Sequence, residues 1–291
     1  METEPTENHM NRRTFLSYIF KTAAAIASVG TLTTGYSIFG EPHWIQTKHV
    51  SLVLPNFPAA FSGMKMVQFS DVHLGNYFKM SRFAELVTRL NQLKPDLLCF
   101  TGDLFDDHQG HPSEDVIPLL QQLEAPLGKL AVLGNHDYRL GRQRITDLLT
   151  RGGFTVLNNS QGIVEREGVK IRVAGVSDMI FGKPNLQEAL RRGKELSFTL
   201  LLVHEPDFAD IAANFPIDLQ ISGHSHGGQV RLPFLGGSLS APEFGRKYIQ
   251  GLYTVANSKL QVYTNRGIGT TLLPIRFMCR PEITVFTLKN V

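Results

Sequence analysis

Five apolar runs in this 291-residue chain each break off into side chains that bind metal ions. Lys65-Met66-Val67-Gln68-Phe69 leads into Ser70-Asp71-Val72-His73, and Leu97 to Thr101 leads into Gly102-Asp103. Leu130 to Leu133 leads into Gly134-Asn135-His136-Asp137. Phe198 to Val203 ends at His204, and Leu219 to Ser222 ends at Gly223-His224-Ser225-His226. Runs of this length and composition are expected to be buried strands. In open α/β sheets, ligands bind beyond the carboxyl ends of the strands. Five such ends in one place would gather carboxylate, imidazole and amide groups. The glycines before Asp103, Asn135 and His224 are expected to let the backbone turn sharply where each strand stops.

The histidines sharpen this pattern. Of ten, five (His73, His136, His204, His224 and His226) lie in these endings, while His9, His43, His49, His108 and His111 fall in the leader or in loops. A single strand-end histidine is more often structural than a ligand. Five of them in successive endings leave that reading little room. Carboxylate oxygens and imidazole nitrogens without thiolate suit manganese, iron or zinc. There are too many candidate ligands for one ion. Two ions could share them if one carboxylate bridges, and Asp103 is the natural bridge.

Around these endings the text alternates between strand and helix. Met80 to Leu93 carries Phe83, Leu86, Val87, Leu90 and Leu93 at helical spacing,, and Lys94-Pro95 stops it. Val116 to Leu123 and Ile145 to Leu149 are expected to be helical. Val169 to Val176 is expected to be a strand. After Gly227 the chain reads as β-rich, with strands at Gln229–Leu232, Tyr248–Val255, Leu260–Thr264 and Ile283–Leu288. This order predicts an α/β fold of two layered sheets with helices outside. A chain that is 42% hydrophobic is not disordered,. Two cysteines cannot staple a disulfide scaffold, and Cys99, inside Leu97-Leu98-Cys99-Phe100, is expected to be buried and unpaired,. A formal net charge of +3 gives no basic groove for nucleic acid,.

Residues 1–40 stand apart. Arg12-Arg13-Thr14-Phe15-Leu16 precedes a mildly apolar stretch from Tyr18 to Phe39. Paired arginines before such a run form the pattern of a twin-arginine export signal. The alternative is a plain membrane anchor oriented by the arginines. No good small-x-small cleavage site follows, so the segment is expected to stay attached. The organisation expected is therefore a signal or anchor over 1–40, a linker and first strand over 41–63, and one enzyme domain over 64–291.

The five endings resemble the signature of the calcineurin-like metallophosphoesterases: D-x-H, G-D, G-N-H-[DE], H and G-H-x-H. Glu41-Pro42-His43, Val203-His204-Glu205-Pro206, His226-Gly227-Gly228-Gln229, Asn265-Arg266-Gly267 and Pro281-Glu282-Ile283-Thr284-Val285-Phe286 resemble the YkuE/YaeI-type exported bacterial subgroup. The resemblance implies a four-layer α-β-β-α sandwich forming a single domain after the N-terminal segment. It also implies a two-metal, metal-dependent phosphoesterase. One ion would take Asp71, His73, Asp103 and His226, and the other Asp103, Asn135, His204 and His224. His136 would face the substrate as the catalytic residue and would not ligate.

On this expectation the two ions would acidify a shared water, and the resulting bridging hydroxide would attack phosphorus in line. His136 would stabilise or protonate the leaving oxygen. Asp137 would either orient the His136 ring or cap the strand end. Arg266, in a glycine-flanked turn, would meet a phosphate or else lie at the surface. Phe234-Leu235-Gly236-Gly237 and Phe244-Gly245-Arg246-Lys247 would either touch lipid or serve as core and turn residues. The tether favours a lipid-linked or envelope phosphodiester or pyrophosphate as substrate. A phosphomonoester, or the pyrophosphate of a nucleotide-linked acylated sugar, is the alternative within the class. A non-catalytic metal-binding protein is the alternative outside it. The partners expected are this substrate, the membrane through the N-terminal segment and the twin-arginine translocase, but not nucleic acid. The chain is expected outside the cytoplasmic membrane, held at the membrane or cell wall.

Overall fold

The structure, a computed structural model, describes residues 11–108, 110–191, 196–232 and 241–290. An N-terminal helix, α1 (Arg12–Gly35), is followed by β1 (Gln46–Val53), β2 (Lys65–Phe69), α2 (Met80–Gln92), β3 (Leu97–Phe100), α3 (Val116–Gln121) and β4 (Lys129–Ala131). Next come α4 (Asn135–Arg139), α5 (Arg142–Arg151), β5 (Thr155–Val156), β6 (Ser160–Arg166), β7 (Val169–Gly175), α6 (Leu186–Leu190) and β8 (Thr199–Leu202). The chain closes with α7 (Ala209–Ala212), β9 (Leu219–Ser222), β10 (Gly251–Thr254), β11 (Gln261–Thr264) and β12 (Glu282–Lys289).

Two six-stranded sheets result, ordered β1-β12-β2-β3-β4-β5 and β10-β11-β9-β8-β7-β6. Side chains alternate across a strand, and that alternation builds the layers. Met66, Leu97 and Phe286 of the first sheet pack with Val173, Leu200, Leu219 and Ile221 of the second in one buried core between the sheets. Their neighbours Val67, Leu98 and Phe100 face the other way, onto Phe83, Leu86, Val87 and Leu90 of α2 and Ile145 of α5. On the far side, Ala174, Leu201 and Val203 pack against Leu186 of α6 and Ala209 of α7. The architecture is thus the expected α-β-β-α sandwich. Cys99 lies in the inter-sheet core as a free thiol, and Cys279 is also free and buried.

The topology decides where chemistry can sit. β2, β3 and β4 run parallel to one another, as do β8 and β9 in the second sheet. The carboxyl ends of each set therefore share one edge. A buried amide ties the sheets there: Gln68 Nε2 donates to Thr101 Oγ1 at 2.9 Å and to the Ser222 carbonyl at 3.0 Å. One local expectation differs from the structure, and β6 is not among the expected strands. Gln229–Leu232 is not a strand; only a single bridge joins Val230 to Phe277. β6 pairs antiparallel with β7 along its whole length but is mostly half-exposed, so it lacked the apolar signature of a core strand.

α1 has no buried residue and, with the turns that extend it to His43, is long and apolar enough to cross a membrane. Asn11 caps its start by accepting from the Thr14 amide at 2.9 Å. The end of this segment behaves differently: Ser37, Glu41 and Pro42 are buried against the sandwich. The Arg276 amide donates to the Ser37 carbonyl at 3.0 Å, and the Met278 and Cys279 amides donate to the Glu41 carboxylate.

Phe198, fully buried between the sheets, meets Phe57 edge-to-face at 5.0 Å. Phe198→Ala is expected to cost about 3–5 kcal/mol, read as a loss of chemical-denaturation stability in the full-length protein.

Candidate metal centre

The five endings converge. Asp71 and His73 follow β2, Asp103 follows β3, and Asn135 and His136 open α4 after β4. His204 follows β8, and His224 and His226 follow β9. All eight side chains belong to buried residues.

Asp103 is the hub. Its Oδ2 lies 3.1 Å from His204 Nε2 and 3.7 Å from His73 Nε2. Its Oδ1 accepts from the His136 amide at 2.9 Å. Around Asp71 a second convergence forms: His226 Nε2 lies 3.4 Å from Asp71 Oδ1 and 3.1 Å from His73 Nε2. Both Asp71 oxygens accept from the His224 amide, at 3.0 and 3.1 Å. Asp71, His73 and His226 are thus grouped closely enough to hold one ion, as are Asp71, Asp103 and His204.

The donor set fits metal ions, and the orientation of the rings supports this. His204 Nδ1 donates to the Thr101 carbonyl at 2.6 Å, which leaves Nε2 as a lone pair facing a carboxylate. Two acceptors at that distance repel unless a positive charge lies between them. His224 Nε2 donates to the Glu243 carbonyl at 2.7 Å, leaving Nδ1 free as an acceptor. Such outer contacts orient ligating imidazoles. The Asn135 side-chain oxygen is buried with no hydrogen-bond partner, the state expected of an oxygen meant for a cation.

Protonation tells the same story. Burial and the proximity of His204 push His224 down to about 4, so it stays neutral. Burial also pushes Asp71 up, to about 6, aided by Asp103. For Asp103 burial works in the same direction, but His204, His136 and His73 outweigh it and hold the carboxyl well below its usual range. His204 is opposed by burial, yet Asp103 and Asp71 raise it well above an ordinary histidine. Without metal, a proton supplies the positive charge that the carboxylates demand.

The backbone is distorted to reach this arrangement. Asp71, His73, Asp103, His224 and His226 all have φ between 49° and 66°, a region costly for residues other than glycine. Such strain concentrates at functional sites. The neighbouring glycines serve more than one purpose. Gly102 does take a left-handed turn, at φ 98°. Gly134 does not; its φ is −105°. A Cβ there would collide with the Asp103 carboxylate and lie 2.6 Å from His204 Cε1. Close approach, not turning, explains Gly134, which corrects the uniform expectation drawn from sequence.

His136 lines the mouth of the cluster, its ring edge-on to His73 with centroids 4.6 Å apart. Its Nδ1 contacts Asp107 Oδ1, and Asp107 Oδ2 accepts from Arg139 Nη1 at 2.9 Å. The side chain that steadies His136 is therefore Asp107. Asp137 instead accepts from the amides of Asp103, Leu104 and Gly134, at 2.8, 2.9 and 3.0 Å. It is a strand-end cap, which decides between the two roles left open by the sequence. Asp107 was missed, although a carboxylate four residues beyond Asp103 in the same loop was a usable signal.

A cavity of about 590 Å³ opens over the cluster. Asp103, Asn135, His136, His224 and His226 reach its floor, Arg139 lies on its rim, and Val230, Leu272, Leu273 and Ile275 form an apolar wall. Arg266 is not brought to this cavity, contrary to the expectation of a phosphate contact. Its Nε donates to Glu282 Oε2 at 2.5 Å and its Nη2 to Gln46 Oε1 at 2.8 Å, so its charge is committed to bracing β1 and β12. Arg139, which sequence reasoning did not single out, does line the cavity, paired with Asp107 and stacked over Phe181. Phe234 to Gly237 lie outside the described residues. Arg246 and Lys247 are turn residues whose amides donate to Asp207, and Lys247 pairs with Asp210.

Comparison with known proteins agrees with this geometry. Residues 64–228 match the family model of the calcineurin-like phosphoesterases. The chain is 43% identical over 286 residues to YkuE of Bacillus subtilis, an uncharacterized metallophosphoesterase, covering 97% of this chain and 98% of that one. It is 32% identical over 290 residues to the phosphodiesterase YaeI of Escherichia coli, covering 96% and 99%. It is 27% identical over 319 residues to the UDP-2,3-diacylglucosamine pyrophosphatase LpxG of Chlamydia muridarum, covering 90% and 94%. With the motif residues gathered at one sheet edge and the match running nearly end to end, the chain belongs to the calcineurin-like metallophosphoesterases and is a phosphate-ester hydrolase.

Proposed function

We propose that this protein is a membrane-anchored, extracytoplasmic hydrolase of phosphodiester or pyrophosphate bonds in a lipid or cell-envelope substrate, working with two divalent ions of manganese, iron or zinc. The observation that carries this reading is the pair of donor sets meeting at Asp103, on the floor of a cavity with one apolar wall. In it, Asp71, His73, Asp103 and His226 hold one ion, and Asp103, Asn135, His204 and His224 hold the other. When bound, such a pair lowers the pKa of a shared water and neutralises phosphoryl oxygens.

The chain's own residues do the rest. His136, fixed through Nδ1 by Asp107, presents its other nitrogen to the substrate and can donate a proton to the leaving oxygen. Hydrolysis adds a water oxygen to phosphorus and breaks one P–O bond, and the departing oxygen takes up a proton. Arg139, tied to Asp107 on the rim, can meet a phosphoryl oxygen. Asn135 contributes a neutral oxygen and so adds no repulsion toward an anionic substrate. The pyrophosphate alternative draws support from LpxG, whose name specifies cleavage of an acylated, nucleotide-linked pyrophosphate. A phosphomonoester remains the third option for the same floor. The export reading rests on Arg12-Arg13 at the head of an exposed apolar helix.

Asp103→Asn is expected to lose bound metal by elemental analysis; full retention of two ions would remove the bridging role. His136→Ala is expected to keep metal and lose about 10²–10⁴-fold in turnover of an aryl phosphodiester. Asp107→Asn should lower kcat by less than this while leaving metal content unchanged, as befits a positioning residue. Arg12→Lys with Arg13→Lys is expected to leave the protein in the cytoplasm, scored by cell fractionation, and normal export of that variant would make the segment a simple anchor.

A further inference from the structure

The loop from residue 270 to 276 faces two ways. Thr271, Leu272, Leu273 and Ile275 face the metal cavity. Thr270 and Pro274 face a second hollow of about 360 Å³, closed from the other side by Ile38, Phe39 and Pro42 at the end of the apolar N-terminal segment. Arg276, next to Ile275, is hydrogen-bonded through its amide to the Ser37 carbonyl. The apolar wall of the metal cavity is therefore one loop away from the point where a membrane-length helix joins the domain.

This wall is held in place. Gln229, three residues after His226, accepts from the Thr271 amide at 2.7 Å and donates to the Thr271 carbonyl at 3.2 Å. The buried Arg276 guanidinium donates to the carbonyls of Arg266, Gly269 and Cys279. Yet the leucines on the loop are not used for packing: Leu272 is 69% exposed and Leu273 is 60% exposed. Leu272 also has φ 63°, strain that a bulky side chain normally avoids. A fixed loop that holds two exposed leucines, one of them on left-handed backbone, beside a polar floor and a membrane-length helix is shaped for a ligand with an anionic head and an apolar tail,.

We propose that the substrate is a phosphate ester carried by a membrane lipid, its acyl or isoprenyl chain lying against Leu272 and Leu273 while the phosphate reaches the floor at Asp103. This rests on the phosphoesterase reading above and adds the tail site and the side of entry. The retained N-terminal helix keeps the cavity mouth at the bilayer surface, so the lipid need not leave the membrane to react.

The test uses full-length, metal-loaded protein in mixed micelles and p-nitrophenyl phosphodiesters that differ only in the second alcohol: methyl, octyl or hexadecyl. The expected result is a kcat/KM at least tenfold higher for the hexadecyl ester than for the methyl ester. That ratio should fall at least fivefold in Leu273→Ser and in the double variant Leu272→Ser, Leu273→Ser, both of which keep the helix and hence the same partition into micelles. Both side chains are exposed, so their removal leaves no cavity, and a thermal melt checks the fold. Turnover of every ester with a ratio near one overturns the lipid site but leaves the phosphoesterase reading intact. A high ratio unchanged in both variants also overturns it, placing the tail elsewhere. Absence of turnover on all three esters defeats the phosphodiesterase reading of the site, and the lipid-ester proposal that rests on it.

Discussion

A buried carboxylate needs positive charge nearby, and in this molecule that requirement centres on Asp103. Its Oδ2 faces imidazoles from both sheets, His73 from the first and His204 from the second. Isolated in a protein interior, such a charge would be far too costly to keep. Without metal, a proton on His204 supplies one such charge, while His224 stays neutral and Asp71 adds a second carboxylate to the same space. The site is therefore one that cations, or protons in their place, must balance. The sandwich provides the frame for this arrangement: two parallel sets of strands ending on one edge, with Gln68 bonded across the sheets to Thr101 and Ser222.

Reaching that geometry distorts the chain. Five side chains of the cluster sit on left-handed backbone, each at a cost of order 1–3 kcal/mol. The stability lost there has to be offset by well-packed layers on either side, where side chains such as Met66, Leu97, Leu200 and Phe83 are fully or almost fully buried. Glycines at 102, 134 and 223 leave room for the approach. At Gly223, as at Gly134, an added Cβ would strike a cluster residue, here Asp71 and its neighbour Ser70.

Much of this was legible in the sequence because each ligand motif terminates an apolar run, and strand direction then places the motif. α2 was equally legible, since its apolar stripe and the stop at Lys94-Pro95 are local signals. What escaped sequence reasoning depends on contacts distant along the chain. Arg266 looked free in its turn, but Glu282 and Gln46 engage it from other strands. Asp137 and Asp107 are both plausible partners for His136, and only the path of the loop after β3 separates them. β6 is too exposed to show a core pattern, and Gln229 to Leu232 is too closely tied to the His226 turn to extend as a strand. The wall formed by Leu272 and Leu273 has no sequence motif; it emerges when residues after β11 fold back against Gln229.

The cavity is thus polar on one side and apolar on the other, and the two sides are mechanically connected. Glu41 bonds to the Met278 and Cys279 amides, and Cys279 Sγ in turn contacts the His226 carbonyl at 3.2 Å. The end of the N-terminal segment is in this way two contacts from a residue of the metal cluster. A formal net charge of +3 spread over the whole chain cannot concentrate an anionic substrate by itself,. Attraction for phosphate has to arise locally, at the buried Asp and His groups able to hold cations around Asp71 and Asp103, beside an apolar wall that on the proposed reading receives a lipid tail. The segment that braces the loops beside that cavity is also long and apolar enough to cross a membrane, and on the proposed reading this coupling constrains the substrate more strongly than the metal chemistry alone.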